Sequence, residues 1–431
     1  MRSKVFLTVL VFSLLLSIGV VQAQDPVTIN VLYMAQAALS TEEMDAIIAE
    51  FEALNPNINV EVEYVAYEAL HDKFTTSMAT DPVPYDVVMV DVIWYTEFVQ
   101  RGYILDVTDR ITQDMRDNIF DAAWNVVNVG GRDYGMPWLL DTKYFYYNQD
   151  ILSQAGIDAP ATTWEGVIEQ AQAIKDAGLL EYPLVFDWAQ AEAVICDFTA
   201  LVYGNGGQFL DEEGNPAFNG PEGVAALQWM VDSINNGLTN PASITYLEED
   251  VRNVFSSGQA AFTLNWLYMY NLANFNEEES QVTGNVGITT IPVFQSVADQ
   301  GIPSASVDGS SGFSVVANSD NPDEAWAFIE YLTSEPTQMT YSQNMLPVWE
   351  SAFEGENLDI LSAIGPASPV TVPMFAEQFP YAHVRPTVPY YLEGSVQLQL
   401  AIQLALTGQM TPQEALDQAE AVWTELGAQM Q

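Results

Sequence analysis

Tyr134-Gly135-Met136-Pro137-Trp138-Leu139-Leu140-Asp141-Thr142-Lys143-Tyr144-Phe145-Tyr146-Tyr147-Asn148 is the stretch on which the reading of this chain turns. It opens with a Gly-Met-Pro break and a Trp, then runs on as an apolar, aromatic strand interrupted by one acid, Asp141. A carboxylate among aromatics is costly to bury without a polar partner. Such a strand either pairs the acid with Lys143, two residues on along the same face, or turns it toward something polar that comes and goes. The expectation is that this stretch passes from one lobe to another beside a ligand cleft.

At 431 residues the chain is long for one core, which points to two lobes. A composition of 49% hydrophobic and 12% aromatic residues places it among globular proteins. Lys and Arg number 11 against 58 Asp and Glu, a net charge of −47. So acidic a surface repels nucleic acid and anionic membranes, so neither is expected as a partner. Arg2 and Lys4 precede an uncharged apolar run over residues 5–21, and Val21-Gln22-Ala23 supplies small residues before Gln24. This reads as an export signal cleaved after Ala23, giving a periplasmic or extracellular protein. No cysteine stands directly at that cleavage point to carry a lipid, and no later run reaches about 18 apolar residues. The one cysteine, Cys196, lies in an apolar run and reads as a buried, inert thiol.

Working outward from residues 134–148, residues 27–33 alternate and are rich in β-branched side chains, a first strand. Ser40-Thr41-Glu42-Glu43 starts a helix that Asn55-Pro56 stops. A strictly alternating strand (58–64), a helix (69–78) and a buried strand (85–92) follow. This β-α-β-α-β order predicts a doubly wound parallel sheet in an α/β fold. Ligands of such sheets collect beyond the carboxyl ends of the strands, here Met34 to Ala37, Tyr67 and Asp91 to Tyr95. Downstream, residues 182–188 read as a strand and 260–264 as a strand ending in Asn265-Trp266. The apolar run 286–293 reads as a second connecting segment, and 312–317 as a strand after an Asp-Gly-Ser-Ser turn. Two helices, 395–406 and 411–426, close the chain.

The order of these pieces resembles the extracellular solute-binding proteins of ABC sugar importers, the family of maltose- and trehalose/maltose-binding proteins. The matching residues are Tyr134-Gly135-Met136-Pro137-Trp138, Tyr146-Tyr147-Asn148-Gln149-Asp150, Thr163-Trp164-Glu165, the run 255–262, Asn321-Pro322-Asp323-Glu324-Ala325-Trp326-Ala327-Phe328 and Leu346-Pro347. Asn265-Trp266 and Glu248-Glu249 look most like the trehalose/maltose branch. The resemblance implies two α/β lobes joined by a three-segment hinge, with a sugar held between them and delivered to a membrane permease. The expected lobes are 24–139 with 290–345, and 140–289 with 346–431. Where that branch carries Gly-Gly-Trp, this chain has Gly309-Ser310-Ser311-Gly312, so a sugar-stacking aromatic is absent there.

Sugar hydroxyls need donors and acceptors, and the ring faces need flat apolar surface. The ligand-binding candidates are therefore polar and aromatic residues near strand ends or in the matching motifs. From the first lobe come Gln36, Asp91 and Trp94, and from the first crossing Asp141. Trp188, Gln190 and Glu192 cluster after a strand; Asn265, Trp266 and Tyr268 follow another. Ser310 and Ser311 stand at the position of the missing aromatic, and Arg385 resembles the family's arginine that reaches the sugar from the second lobe. Against these stand bland readings: a helix cap and core tryptophans, and an ion pair for Arg385. His71 and His383 have no His or Cys at metal-ligand spacing, and there is no Gly-x-Ser-x-Gly or phosphate loop. The expectation is a monomeric sugar-binding protein with no cofactor, no metal and no catalysis. The alternatives are a binding protein for a cationic amine and a secreted glycosidase.

Overall fold

The computed structural model describes residues 26–35 and 38–429. The export signal with its cleavage point after Ala23, and Gln36, lie outside the described residues. Ten strands organise the chain: β1 Val27–Met34, β2 Ile58–Val65, β3 Val87–Asp91, β4 Met136–Leu139, β5 Lys143–Asn148, β6 Phe262–Trp266, β7 Val286–Thr289, β8 Ser306–Asp308, β9 Ser311–Val315 and β10 Ala382–Val384. A two-residue hairpin at Asn128–Val129 and Arg132–Asp133 lies to one side.

The first sheet has the order β2-β1-β3-β9-β4. β1 runs parallel to β2 and β3, as the β-α-β-α-β reading requires. Between them, helix α1 (Thr41–Leu54) begins with the expected capping box: the Ser40 hydroxyl accepts from the Glu43 amide, and the Glu43 carboxylate accepts from the Ser40 amide. α1 buries Met44, Ile47 and Phe51. Helix α2 (Tyr67–Ser77) follows β2. β9 is antiparallel to both β3 and β4, so the sheet is mixed rather than wholly parallel. The second sheet, β6-β5-β7, is antiparallel throughout. Helix α3 (Glu192–Gly204) is buried along nearly all its length and packs against β8 and β10; its residues are mostly apolar, with Asp197 and Thr199 as buried polar exceptions.

The two lobes meet where the chain passes between sheets. One passage is residues 140–142, between β4 and β5, as residues 134–148 lead one to expect. The second is not the run 286–293. β7 is an edge strand of the second sheet, the Ile291 amide donates to Gln378 Oε1, and Val293 pairs with Thr163. The passage lies instead at residues 309–310, between β8 and β9. An apolar run with an internal proline looks the same as an edge strand or as a hinge, and here it is a strand. Nor does the chain leave the first lobe near Leu346-Pro347. The Val348 carbonyl accepts from Phe120, and the Trp349 indole donates to Thr333. Further on, the Phe353 ring lies 5.5 Å from Phe120 and 6.4 Å from Phe375. The strand expected at 182–188 is an extended segment paired only through Leu184, since Pro183 has no amide for a ladder.

The first two passages bind each other. Thr142 pairs with Asp308, and the Gly309 amide donates to the Asp141 carbonyl at 3.0 Å. The Thr142 hydroxyl donates to the Val307 carbonyl at 2.8 Å.

Lys143 does not pair with Asp141. Its ammonium is fully buried and donates to Asp187 Oδ2 at 2.6 Å and Asp197 Oδ1 at 2.7 Å. Asp197 also accepts from the Trp188 indole at 3.0 Å. Burial alone would lower the Lys143 pKa, but Asp187 and Asp197 outweigh it and keep the ammonium charged. Removing one member of a buried ionic cluster costs about 3–5 kcal/mol, because the partners' charges stay behind. Lys143→Met should therefore lower the unfolding free energy by about that much in a denaturant titration. An unchanged midpoint would show that the cluster does not hold the second lobe.

Candidate functional site

A cavity of about 510 Å³ lies between the lobes. Its first wall is built from the carboxyl ends of the first sheet's parallel strands and the edges beside them: Met34 closes β1, Asp91 closes β3, Leu139 closes β4, and Ser311 opens β9. Tyr67, the first residue of α2, stands beside them. The opposite wall comes from the first turn of α3 (Glu192, with Cys196 below), from helix α4 (Glu248–Ser256) through Glu248 and Glu249, and from Trp266, Tyr268 and Arg385. Asp141 and Gly309 sit at the two passages themselves.

Arg385 ties the walls together. One guanidinium nitrogen donates to Glu192 at 2.9 Å and another to Asp91 at 3.3 Å, so the ion pairs span the cleft. The Tyr67 hydroxyl donates to the other Asp91 oxygen at 3.0 Å. Glu192 accepts in addition from Tyr391 and from Ser395. Burial pushes Asp91 up, against the opposing pull of Arg385.

Asp141 and Glu248 are held differently, since neither has an ion pair among the described residues. Asp141 is partly exposed toward the cavity, yet protein surrounds its carboxylate, and burial pushes its pKa up to about 7. The Thr142 and Leu267 amides work against that rise. Burial likewise pushes Glu248 up to about 7, with Asp187 adding to the effect and Lys143 opposing it. The Ser311 hydroxyl is buried in the wall and has no hydrogen-bond partner among the described residues.

Trp266 supplies the flat apolar surface. Its ring lies against Gly309, where a Cβ would stand only 2.5 Å from ring carbons, so the close approach requires glycine. The Lys143 ammonium lies 5.5 Å from the ring centroid and braces the indole from within the second lobe.

Of the residues expected from the sequence, Asp91, Asp141, Glu192, Trp266, Tyr268, Ser311 and Arg385 come together around this cavity. Five do not, and all but Gln190 have a structural task instead. Trp94 is buried behind Tyr67, stacked on its ring at 5.4 Å. Trp188 is a core residue stacked on Phe186 at 4.6 Å. Gln190 is exposed outside the cavity. The Asn265 side chain bonds the Glu248 carbonyl and the Trp266 amide, fixing the turn that presents Trp266. The Ser310 hydroxyl accepts from the Asp141 amide at 3.3 Å and belongs to the passage. Sequence reasoning did not name Glu248 and Glu249 as ligand contacts, although they stand in the recognised motif; it did place Met34 and Tyr67 at the strand ends where ligands collect, where the cavity has them. It also missed Cys196, whose thiol lines the cavity.

Residues 37–339 match the family of bacterial extracellular solute-binding proteins, and the chain belongs to that family. It is 32% identical over 287 residues to a probable ABC transporter-binding protein of Deinococcus radiodurans, a match that spans 65% of each chain. Among solved structures it superposes on maltose-bound MalE3 of T. maritima with a TM-score of 0.83, at 28% identity, covering 93% of this chain and 100% of that one. A solute-binding protein of an ABC transporter from Agrobacterium radiobacter K84, in complex with ribitol, gives a TM-score of 0.81 at 26% identity, covering 93% and 99%. The fold is thus the two-lobe α/β fold of periplasmic binding proteins.

The position of Asp141 carries a pH dependence. Its pKa in the folded protein, about 7, lies above the ordinary value of 3.8 that it recovers on unfolding. Ionising it therefore costs folded stability, and the cost grows as pH rises from about 4 to about 7. Asp141→Asn should accordingly raise the melting temperature by roughly 2–4 °C more at pH 8 than at pH 5. An equal difference at both pH values would show that the carboxylate is not held in this way.

Proposed function

We propose that this chain is exported with its signal cleaved after Ala23, captures a sugar or a sugar-like polyol between its lobes, and hands it as a monomer to the permease of an ABC importer, with no catalysis of its own. We further propose that the first lobe comprises residues 24–139 and about 311–353, and the second lobe the remainder. The observation that carries this reading is the cavity at the strand ends, where the Trp266 ring and two carboxylates without a cation, Asp141 and Glu248, face the same space. Maltose and ribitol, the ligands of the two solved relatives, share with this reading the hydroxyls that donate to carboxylates and, for maltose, the ring faces that stack on an indole.

The ring offers a face for stacking, and the carboxylates accept from hydroxyls, each such bond contributing about 1.5–3 kcal/mol. A few of them reach the roughly 8 kcal/mol of micromolar binding. The same residues account for closure. Bringing the walls together forms the Arg385–Asp91 contact but also encloses Asp141 and Glu248. A sugar that donates to those carboxylates removes the penalty only in the closed form, so it binds that form better and shifts the equilibrium toward it.

A thermal-shift screen of mono- and disaccharides, polyols and simple amines tests the reading. A sugar or polyol should raise the melting temperature, and calorimetry with that ligand should show at least about tenfold weaker binding for Trp266→Ala and loss of most affinity for Asp141→Ala. If only simple amines raise the melting temperature, the sugar reading is wrong. Unchanged affinity in Asp141→Ala would put the ligand elsewhere.

A further inference from the structure

The polar groups of the cavity wall are lopsided. Six carboxylates line it: Glu68, Asp91, Asp141, Glu192, Glu248 and Glu249. No Lys, His, Asn or Gln does so among the described residues. The one lining cation, Arg385, is committed to Asp91 and Glu192, and Glu249 is held by Arg252 outside the cavity at 2.8 Å. The two lining phenols are committed as well: Tyr67 donates to Asp91, and Tyr268 donates to Glu249 at 2.6 Å. The Trp266 indole bonds Glu248 and opposes its pKa rise, so the side-chain donors left without a partner among the described residues are the buried Ser311 hydroxyl and the Arg385 Nε. On the acceptor side, Asp141, Glu248 and the exposed Glu68 have no cation among the described residues.

A neutral sugar answers this wall incompletely. Each hydroxyl donates once and accepts at two lone pairs, so its acceptors would compete for two buried donors. Whatever negative charge Asp141 and Glu248 carry when ionised would also stay uncompensated. An ammonium group brings up to three donors, no acceptor and a positive charge. Set between two carboxylates and near aromatic faces, it meets both demands, and the ring beside it still stacks on Trp266. The buried, partnerless Ser311 hydroxyl is the independent sign that a polar ligand group completes this wall, since such groups are otherwise paired.

We infer that the ligand is a sugar or polyol carrying a protonated amine, with the ammonium held by Asp141 and Glu248 and the Ser311 hydroxyl left to donate to a neutral ligand oxygen. This rests on the sugar reading above and narrows it to a basic carbohydrate.

Matched probes test it: glucosamine against glucose and N-acetylglucosamine, 1-amino-1-deoxysorbitol against sorbitol, and the chitosan disaccharide against cellobiose, with putrescine and choline as amines lacking the skeleton. Calorimetry on the full mature protein should show at least one aminated member bound about tenfold or more tighter than its neutral partner and than either plain amine. Asp141→Asn and Glu248→Gln should each erase most of that preference, and their melting temperatures in the absence of ligand report whether they fold. If neutral members bind as tightly as aminated ones, or the preference survives both substitutions in folded protein, the inference is overturned while the sugar reading stands. Binding of putrescine or choline alone overturns both, as does no binding at all.

Discussion

The constraint on which the rest of this molecule depends is that the chain crosses between its lobes twice in the same place and bonds to itself there. Residues 140–142 and 307–310 run against each other, joined through Thr142, Asp308, Gly309 and Ser310. Neither crossing can move without carrying the other, so the two sheets share one axis. Residues placed on this axis are fixed relative to both lobes. Asp141 is one. Gly309 is another, and because it lacks a side chain, the Trp266 ring of the second lobe can lie directly on the crossing. The platform and the acid that define the cavity are thus positioned by the hinge rather than by either lobe alone.

Charge is distributed around that axis in two ways. Behind Trp266, Lys143 is neutralised by Asp187 and Asp197 in a fully buried cluster that belongs to the second lobe. Across the cleft, Arg385 joins Asp91 to Glu192 and so rewards closure. Between the two stand Asp141 and Glu248, which have no cation among the described residues and whose burial is, in the proposed reading, what a ligand relieves. Opposing contributions of this kind are what the proposed closure needs, since a ligand switches two forms only when they lie within a few kcal/mol.

Much of the fold was legible because local patterns and tertiary demands agree. The alternation in residues 27–33 and 58–64 and the Ser40 and Glu43 box each act within a few residues of chain, and the structure keeps them. The first crossing was legible for a different reason: an acid set among aromatics is a local conflict, and such conflicts mark functional positions. The second crossing was hidden. β8 is only three residues long, too short to register as a strand, so Gly309-Ser310 looked like an ordinary turn, and the longer apolar run at 286–293 drew the assignment instead. Lys143 misled in the same way. Its partners lie 44 and 54 residues away, whereas Asp141 is its neighbour in sequence. Trp188 and Asn265 have the residue types of a sugar site, and only packing reveals that one stacks in the core and the other props a turn.

The central claim is that the lobes close about a ligand held between Asp141 and Trp266. Small-angle X-ray scattering of the mature protein tests it most directly, without ligand and then saturated with the sugar that raises its melting temperature most. The account predicts a smaller radius of gyration with ligand, and none of that change when Asp141→Ala is given the same ligand concentration. An identical radius with and without a tightly bound sugar would contradict it.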